Sequence, residues 1–231
     1  MQIQILQLLQ GARQATGVTV IIDVFRAFST ACYVVANGAR TVIPVGDLAV
    51  AYRLKEVHPD YVLMGERNEK IQPGFDFGNS PAQIETMSFA DRTVVQTTTA
   101  GTQGIANAAK ASQILTGSFV NAQAIVDHIL RLQPPQISLV AMGTAGTVIT
   151  DEDTLCAEYL KNALEGLPND FSSIVKRLRG CESAAKFFDP FKDWAPERDF
   201  ELCLQLNRFP FVLGVEPCEN ALVCLRKIEL Q

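Results

Sequence analysis

The sequence predicts a layered α/β/α fold on a largely parallel or mixed sheet. Short apolar, β-branched runs alternate with helical segments along most of the chain. Polar, glycine-containing motifs recur directly after those runs, where parallel sheets gather their ligands. Size agrees with both. At 231 residues, 48% hydrophobic and 19% charged, the chain can bury a full core without staples.

The first predicted strand, residues 18–22, is Val-Thr-Val-Ile-Ile and ends at Asp23. Apolar positions at Ala27, Thr30, Ala31, Val34 and Val35 follow with helical spacing, and Asn37-Gly38 stops that helix. Residues 41–45 and 48–57 repeat the strand–helix pair. Tyr61-Val62-Leu63-Met64 is the next strand, and it opens into a long polar loop, residues 65–81. Residues 93–98 form a strand, Ala100-Gly101-Thr102 its turn and residues 104–110 its helix. The series continues with a strand at 113–116, a helix at 122–132, a strand at 136–141, a glycine loop at 143–147 and a helix at 152–164. Residues 170–206 read as helical, and 209–215 and 221–226 as terminal strands. With no linker or repeat, the expectation is one domain over residues 1–231, with a smaller C-terminal subdomain from about 168.

Composition removes several functions. A net charge of −5 without a Lys/Arg cluster argues against nucleic acid and anionic membranes. No apolar run approaches the ~18 residues that span a bilayer. No signal peptide is evident, so the expected location is cytoplasmic. The six cysteines lie in apolar or helical contexts without a CxxC pair, which predicts reduced thiols and no structural zinc. Aromatics Phe187, Phe188, Phe191 and Trp194, taken as exposed, hint at a homo-oligomer.

Phosphate chemistry can be narrowed by inspection. No cysteine has Arg six positions on, as a thiol phosphatase needs, and neither His58 nor His128 follows Arg. Two histidines cannot build a His-rich dinuclear centre. Asp23 lacks the second acid two positions later that haloacid-dehalogenase-like phosphatases use, because Phe25 stands there. Residues 143–147 lack the Gly-Lys-Ser/Thr ending of a Walker loop. Carboxylates, backbone amides, hydroxyls and arginines remain, an inventory that fits one Mg²⁺ assisting water attack on a phosphate monoester.

Ile22-Asp23-Val24-Phe25-Arg26-Ala27, Gly65-Glu66-Arg67 with residues 74–81, Thr97-Thr98-Thr99-Ala100-Gly101-Thr102, Gly117-Ser118-Phe119-Val120-Asn121, and Glu152-Asp153 with Cys156-Ala157 stand in one order. Together they resemble the 2-phosphosulfolactate phosphatase family, Mg²⁺-dependent enzymes of coenzyme M biosynthesis. The likeness runs from about residue 20 to 159, with a fainter echo at 199–208. It implies hydrolysis of a small 2-hydroxy acid phosphate, 2-phosphosulfolactate to sulfolactate and phosphate. A non-catalytic organophosphate or sulfonate binder, or a phosphatase for another 2-phospho acid, would use the same residues. The chain departs from the family pattern at Ala100, where Asn is usual, and loses an amide there.

Each candidate residue has a plainer role beside its functional one. Asp23 is a candidate Mg²⁺ ligand or water-positioning acid, or else an N-cap. Arg26 would neutralise an oxyanion, since a cation in a first helical turn opposes the helix dipole. Glu66 and Asp76 are the other candidate Mg²⁺ ligands, against solvated loop acids. Arg67 would hold the acid end of the substrate or lock its loop, and Asn79 would bind substrate or form a turn. Thr98, Thr99, Gly101 and Thr102 place amides and hydroxyls at a helix start, suited to an anion or to capping. Glu152 and Asp153 satisfy a first helical turn as well as a catalytic site; the resemblance raises them to catalytic candidates.

Overall fold

The computed structural model describes residues 1–229. It opens with an edge strand, β1 (Gln2–Gln7), and helix α1 (Leu8–Gln14), which the sequence reading did not anticipate. The elements that follow are β2 (Gly17–Ile22), α2 (Ala27–Ala36), β3 (Thr41–Pro44), α3 (Leu48–Val57), β4 (Val62–Gly65), α4 (Pro81–Ile84), β5 (Thr93–Thr97) and α5 (Gly101–Asn107). After them come β6 (Ala111–Gly117), α6 (Ala122–Leu132), β7 (Gln136–Ala141), α7 (Asp151–Leu164), α8 (Phe171–Arg179), α9 (Glu197–Cys203), β8 (Phe211–Pro217) and β9 (Val223–Glu229). Helix α5 starts three residues earlier than predicted, and reciprocal bonds brace its start: Thr98 N–H donates to Thr102 Oγ1 and Thr102 N–H to Thr98 Oγ1.

All nine strands of this list join one sheet, in the order β1-β7-β2-β6-β8-β9-β3-β5-β4. The fold is α/β with a mixed sheet. Strands β1, β7, β2 and β6 run parallel to one another, and so do β3, β5 and β4. The β8–β9 hairpin lies between the two groups, with antiparallel pairs at β6–β8, β8–β9 and β9–β3. The groups therefore run in opposite directions. The C-terminal stretch set apart in the sequence puts its two strands in the middle of this sheet.

In a flat sheet, the carboxyl ends of the two groups would lie at opposite edges. Residues that follow strands of both groups nonetheless line one cavity. In α2, Ala27 through Val34 are all buried, as expected of a helix apolar on every side. Gln96 on β5 donates from Nε2 to Ala27 O at the start of α2 (2.9 Å), which ties the second strand group to the helix that follows β2.

Two expectations need correction. Cys218 and Cys224 are joined as a disulfide, where six reduced thiols were expected; the β8–β9 hairpin brings their Cα atoms within 5.8 Å. Cys32, Cys156, Cys181 and Cys203 are free. Of the aromatics taken as exposed, Phe187 is buried against Phe25 and Phe200, with ring centroids 5.0 and 6.1 Å away, whereas Phe191 is 89% exposed. Among the described residues, no helix is long and apolar enough to cross a membrane.

Candidate active site

The loops after β2, β4, β5 and β7 enclose, with the first turn of α7, a cavity of about 120 Å³. Asp23, Phe25 and Arg26 come from the end of β2, and Glu66, Glu69 and Asn79 from the long loop after β4. Thr99 and Ala100 come from the end of β5, Gly143 to Ala145 from the β7 loop, and Glu152 and Asp153 from α7. Both strand groups contribute. Glycine is required where β4 ends: Gly65 has φ +139°, and a Cβ there would lie 1.9 Å from Thr97 O.

Four carboxylates on the wall are buried: Asp23, Glu66, Glu152 and Asp153. Two have both oxygens engaged. Asp153 accepts from Val24 N–H and Gly143 N–H (both 2.8 Å), which ties α7 to the ends of β2 and β7. Glu66 accepts from Thr99 N–H (2.6 Å), Thr99 Oγ1 and Glu69 N–H (both 2.8 Å). The other two keep an oxygen free. Asp23 accepts from Ala27 N–H on Oδ1 (3.0 Å), the predicted capping contact, and Glu152 accepts from Ser183 Oγ on Oε2 (2.5 Å). Gly101 backs onto Asp23, since a Cβ there would stand 2.8 Å from Asp23 Oδ2.

Burial raises the pKa of Asp23, Glu152 and Asp153. The Asp23 carboxyl is pushed up to about 6, first by desolvation and then by the charges of Glu66 and Glu152, against the Ala27 hydrogen bond. Glu152 is raised by burial, and Asp153 rises well above the ordinary value through burial and then the charges of Glu152 and Asp23. Burial and then the neighbouring Asp153 charge push the Cys156 thiol far up, which leaves its thiolate scarce.

Two cations face the carboxylates. Arg26, 3% exposed, donates from Nη1 to Trp194 O (2.8 Å) and forms a buried ion pair with Asp199. Asp199 also accepts from Ser80 Oγ (2.8 Å) and Ala82 N–H (2.9 Å), so one acid anchors both Arg26 and the start of α4. Lys186, on the 3-10 turn Glu182–Phe188, donates to Glu69 Oε1 (2.7 Å).

Not every predicted residue reaches the cavity. Thr98 and Thr102 are buried beneath it and spend their hydroxyls on capping; Gly101 lies behind Asp23, and Thr99 and Ala100 form the wall instead. Arg67 locks its loop: its guanidinium donates to Glu66 O (2.7 Å), Gly46 O (2.9 Å) and Thr97 Oγ1 (2.5 Å). Asp76 is exposed outside the cavity, accepting from Leu63 N–H (2.8 Å) beside Lys55. The predicted metal set of Asp23, Glu66 and Asp76 therefore does not assemble. Among the described residues, no three His, Cys, Asp or Glu side chains form a metal cage. Mg²⁺ needs no such cage, because one or two carboxylates, waters and substrate phosphate complete its shell. Asp23 Oδ2 and the partnerless, buried Asn79 Oδ1 fit that requirement.

Residues 3–217 match the family model described as 2-phosphosulpholactate phosphatase. The chain belongs to the 2-phosphosulfolactate phosphatase family. A relative in Bacillus subtilis (strain 168), described as a probable 2-phosphosulfolactate phosphatase, is 32% identical over 202 residues, covering 86% of this chain and 87% of its own. Relatives with the same description in Caldicellulosiruptor saccharolyticus and Thermotoga petrophila are 38% and 34% identical. The first match covers 66% of this chain and 64% of the relative, the second 77% and 72%.

In this family member the sequence reading missed Lys186, Glu69, Ser183 and Asp199. All but Glu69 lie in the C-terminal stretch, far along the chain from the motifs they support. Asp199 carried a faint signal as the first residue of the 199–208 echo.

The pKa of Asp23 sets a stability test for this family member without metal. Below about pH 4, folded and unfolded forms are both protonated at this position. Between about pH 4 and 6 the unfolded chain loses the proton while the folded chain keeps it, so stability falls as pH rises. The loss is on the order of 3 kcal/mol at 1.36 kcal/mol per pKa unit. In EDTA, the Tm of Asp23→Asn should gain on that of the wild type as pH goes from 4 to 7; a constant difference would contradict the raised pKa.

Proposed function

We propose that this protein is a Mg²⁺-dependent phosphatase for the phosphate monoester of a small 2-hydroxy acid. 2-Phosphosulfolactate, the substrate in its relatives' names, would yield sulfolactate and phosphate. The observation that carries this reading is the gathering of four buried carboxylates with Arg26 and Lys186 in one small cavity. A dianionic ester and a divalent cation together suit such a wall, because each offsets charge that burial makes costly.

Bound Mg²⁺ would neutralise charge on the phosphoryl oxygens, with Asp23 as its carboxylate ligand. Arg26, held by Asp199, presents the rest of its planar fork to the same oxygens. Glu152, its carboxyl raised by burial and oriented by Ser183, takes a proton from the attacking water, and the departing alkoxide takes its proton from solvent. Asp153 holds the β2 and β7 loops in register through its two backbone hydrogen bonds.

The test is phosphate release from 2-phosphosulfolactate and 2-phospholactate by purified protein, with Mg²⁺ and with EDTA. Metal-dependent release is expected from both. Binding without release would overturn the phosphatase in favour of a non-catalytic binder. Ala100, which puts no side-chain donor on the wall, would then be the first residue to replace.

A further inference from the structure

A second cavity, wider and open, adjoins the first across a partition made by Lys186, Glu69 and Thr144, which line both. It measures about 700 Å³, and Val148, Ile149, Ser183 and Lys192 lie on its far walls. Lys186 is 12% exposed and its partner Glu69 is 41% exposed. Burial pushes the Glu69 carboxyl up, but the charge and hydrogen bond of Lys186, with the charges of Arg26 and Lys192, hold it below its ordinary value.

The cations of the site differ in how free they are. Arg26 is locked by a fully buried carboxylate and a carbonyl. Arg67, which the sequence suggested for the acid end of the substrate, is held by three acceptors away from the cavity. Lys186 differs. An ammonium offers three donors, and the one acceptor it holds is a half-exposed loop acid that can turn to solvent at little cost. Its charge also reaches the reacting end, where it lowers the pKa of both Asp23 and Glu152.

We propose that Lys186 is the binding site for the second acid group of the substrate, a carboxylate or sulfonate close to the phosphorylated carbon. The substrate anion takes the place of Glu69 on the ammonium, and the wider cavity receives whatever the acid group carries. Lys186 thereby sets specificity, and Glu69 is a built-in competitor that the correct substrate displaces. This rests on the phosphatase reading for its kinetic test, and the binding test below stands apart from it.

The full-length protein is assayed with 2-phospholactate, whose tail is anionic, and with p-nitrophenyl phosphate, whose tail is not. In Lys186→Met, the kcat/KM ratio of the first to the second should fall at least tenfold, through KM. Lys186→Arg should recover most of the ratio, and Glu69→Gln should lower KM for 2-phospholactate at low salt. An equal loss on both substrates, or no loss on either, would overturn the proposal. Calorimetric binding of sulfolactate provides the second readout, and Lys186→Met should weaken it at least tenfold. If the wild type releases phosphate from neither ester, the phosphatase reading fails. Sulfolactate binding then decides the Lys186 site by itself: equal affinity in wild type and Lys186→Met, or no binding to the wild type, overturns it.

Discussion

Asp23→Ala is expected to lower phosphate release by more than a hundredfold while the protein stays folded. A hundredfold is about 2.7 kcal/mol of transition-state stabilisation, well within what losing a ligand of a charge-neutralising cation costs. In the presence of Mg²⁺, which would offset the burial of this carboxylate, stability should move little. The change removes the N–H acceptor for Ala27, a loss of about 1 kcal/mol, but it also removes a buried carboxylate that Glu66 and Glu152 repel. The measurement is kcat beside Tm at pH 7, with Asp23→Asn as the variant that keeps a capping oxygen. Near-normal turnover in either would remove Asp23 from the reaction.

Asp199→Ala is expected to be the most destabilising single change at the site. It leaves the guanidinium of Arg26 buried without its counter-ion and takes an acceptor from Ser80 Oγ and Ala82 N–H. Breaking a buried pair from one side costs about 3–5 kcal/mol, which for a chain of this length lowers Tm by roughly 10 °C. Activity should fall with it, since Arg26 loses its orientation. The double variant Arg26→Met/Asp199→Leu separates the two effects: it should regain much of the stability and none of the turnover. An unchanged Tm in Asp199→Ala would mean that the pair does not hold this region together.

The parts of the molecule legible in sequence are those with local causes. β2 is a β-branched run, Asp23 follows it directly, and Gly65 and Asp153 sit where their own segments need them. β1 passed unnoticed because glutamines dilute its alternation, and as an edge strand it stays only half-buried. Asp76 and Arg67 misled for the opposite reason. An acid and an arginine in a glycine-rich loop look available, yet the backbone around them claims both, Leu63 N–H for the first and the carbonyls of Glu66 and Gly46 for the second. Asp199 sits among alternating charges that resemble any solvated helix and Lys186 between alanines and phenylalanines, and their importance arises only from contacts with residues more than a hundred positions earlier. The convergence of two opposed strand groups is a long-range property too, and no periodicity encodes it.

The place of the β8–β9 hairpin has a consequence for how the molecule comes into being. As the chain leaves the ribosome, both strand groups and all four buried carboxylates appear before the residues that join the groups. Until residues 211–229 settle between β6 and β3, each of those strands presents an unpaired edge, the kind of surface that attracts other chains. Closing this gap is a late, long-range event with a large loop-closure entropy. A nascent chain thus carries its chemistry unassembled until residues 211–229 join the two groups.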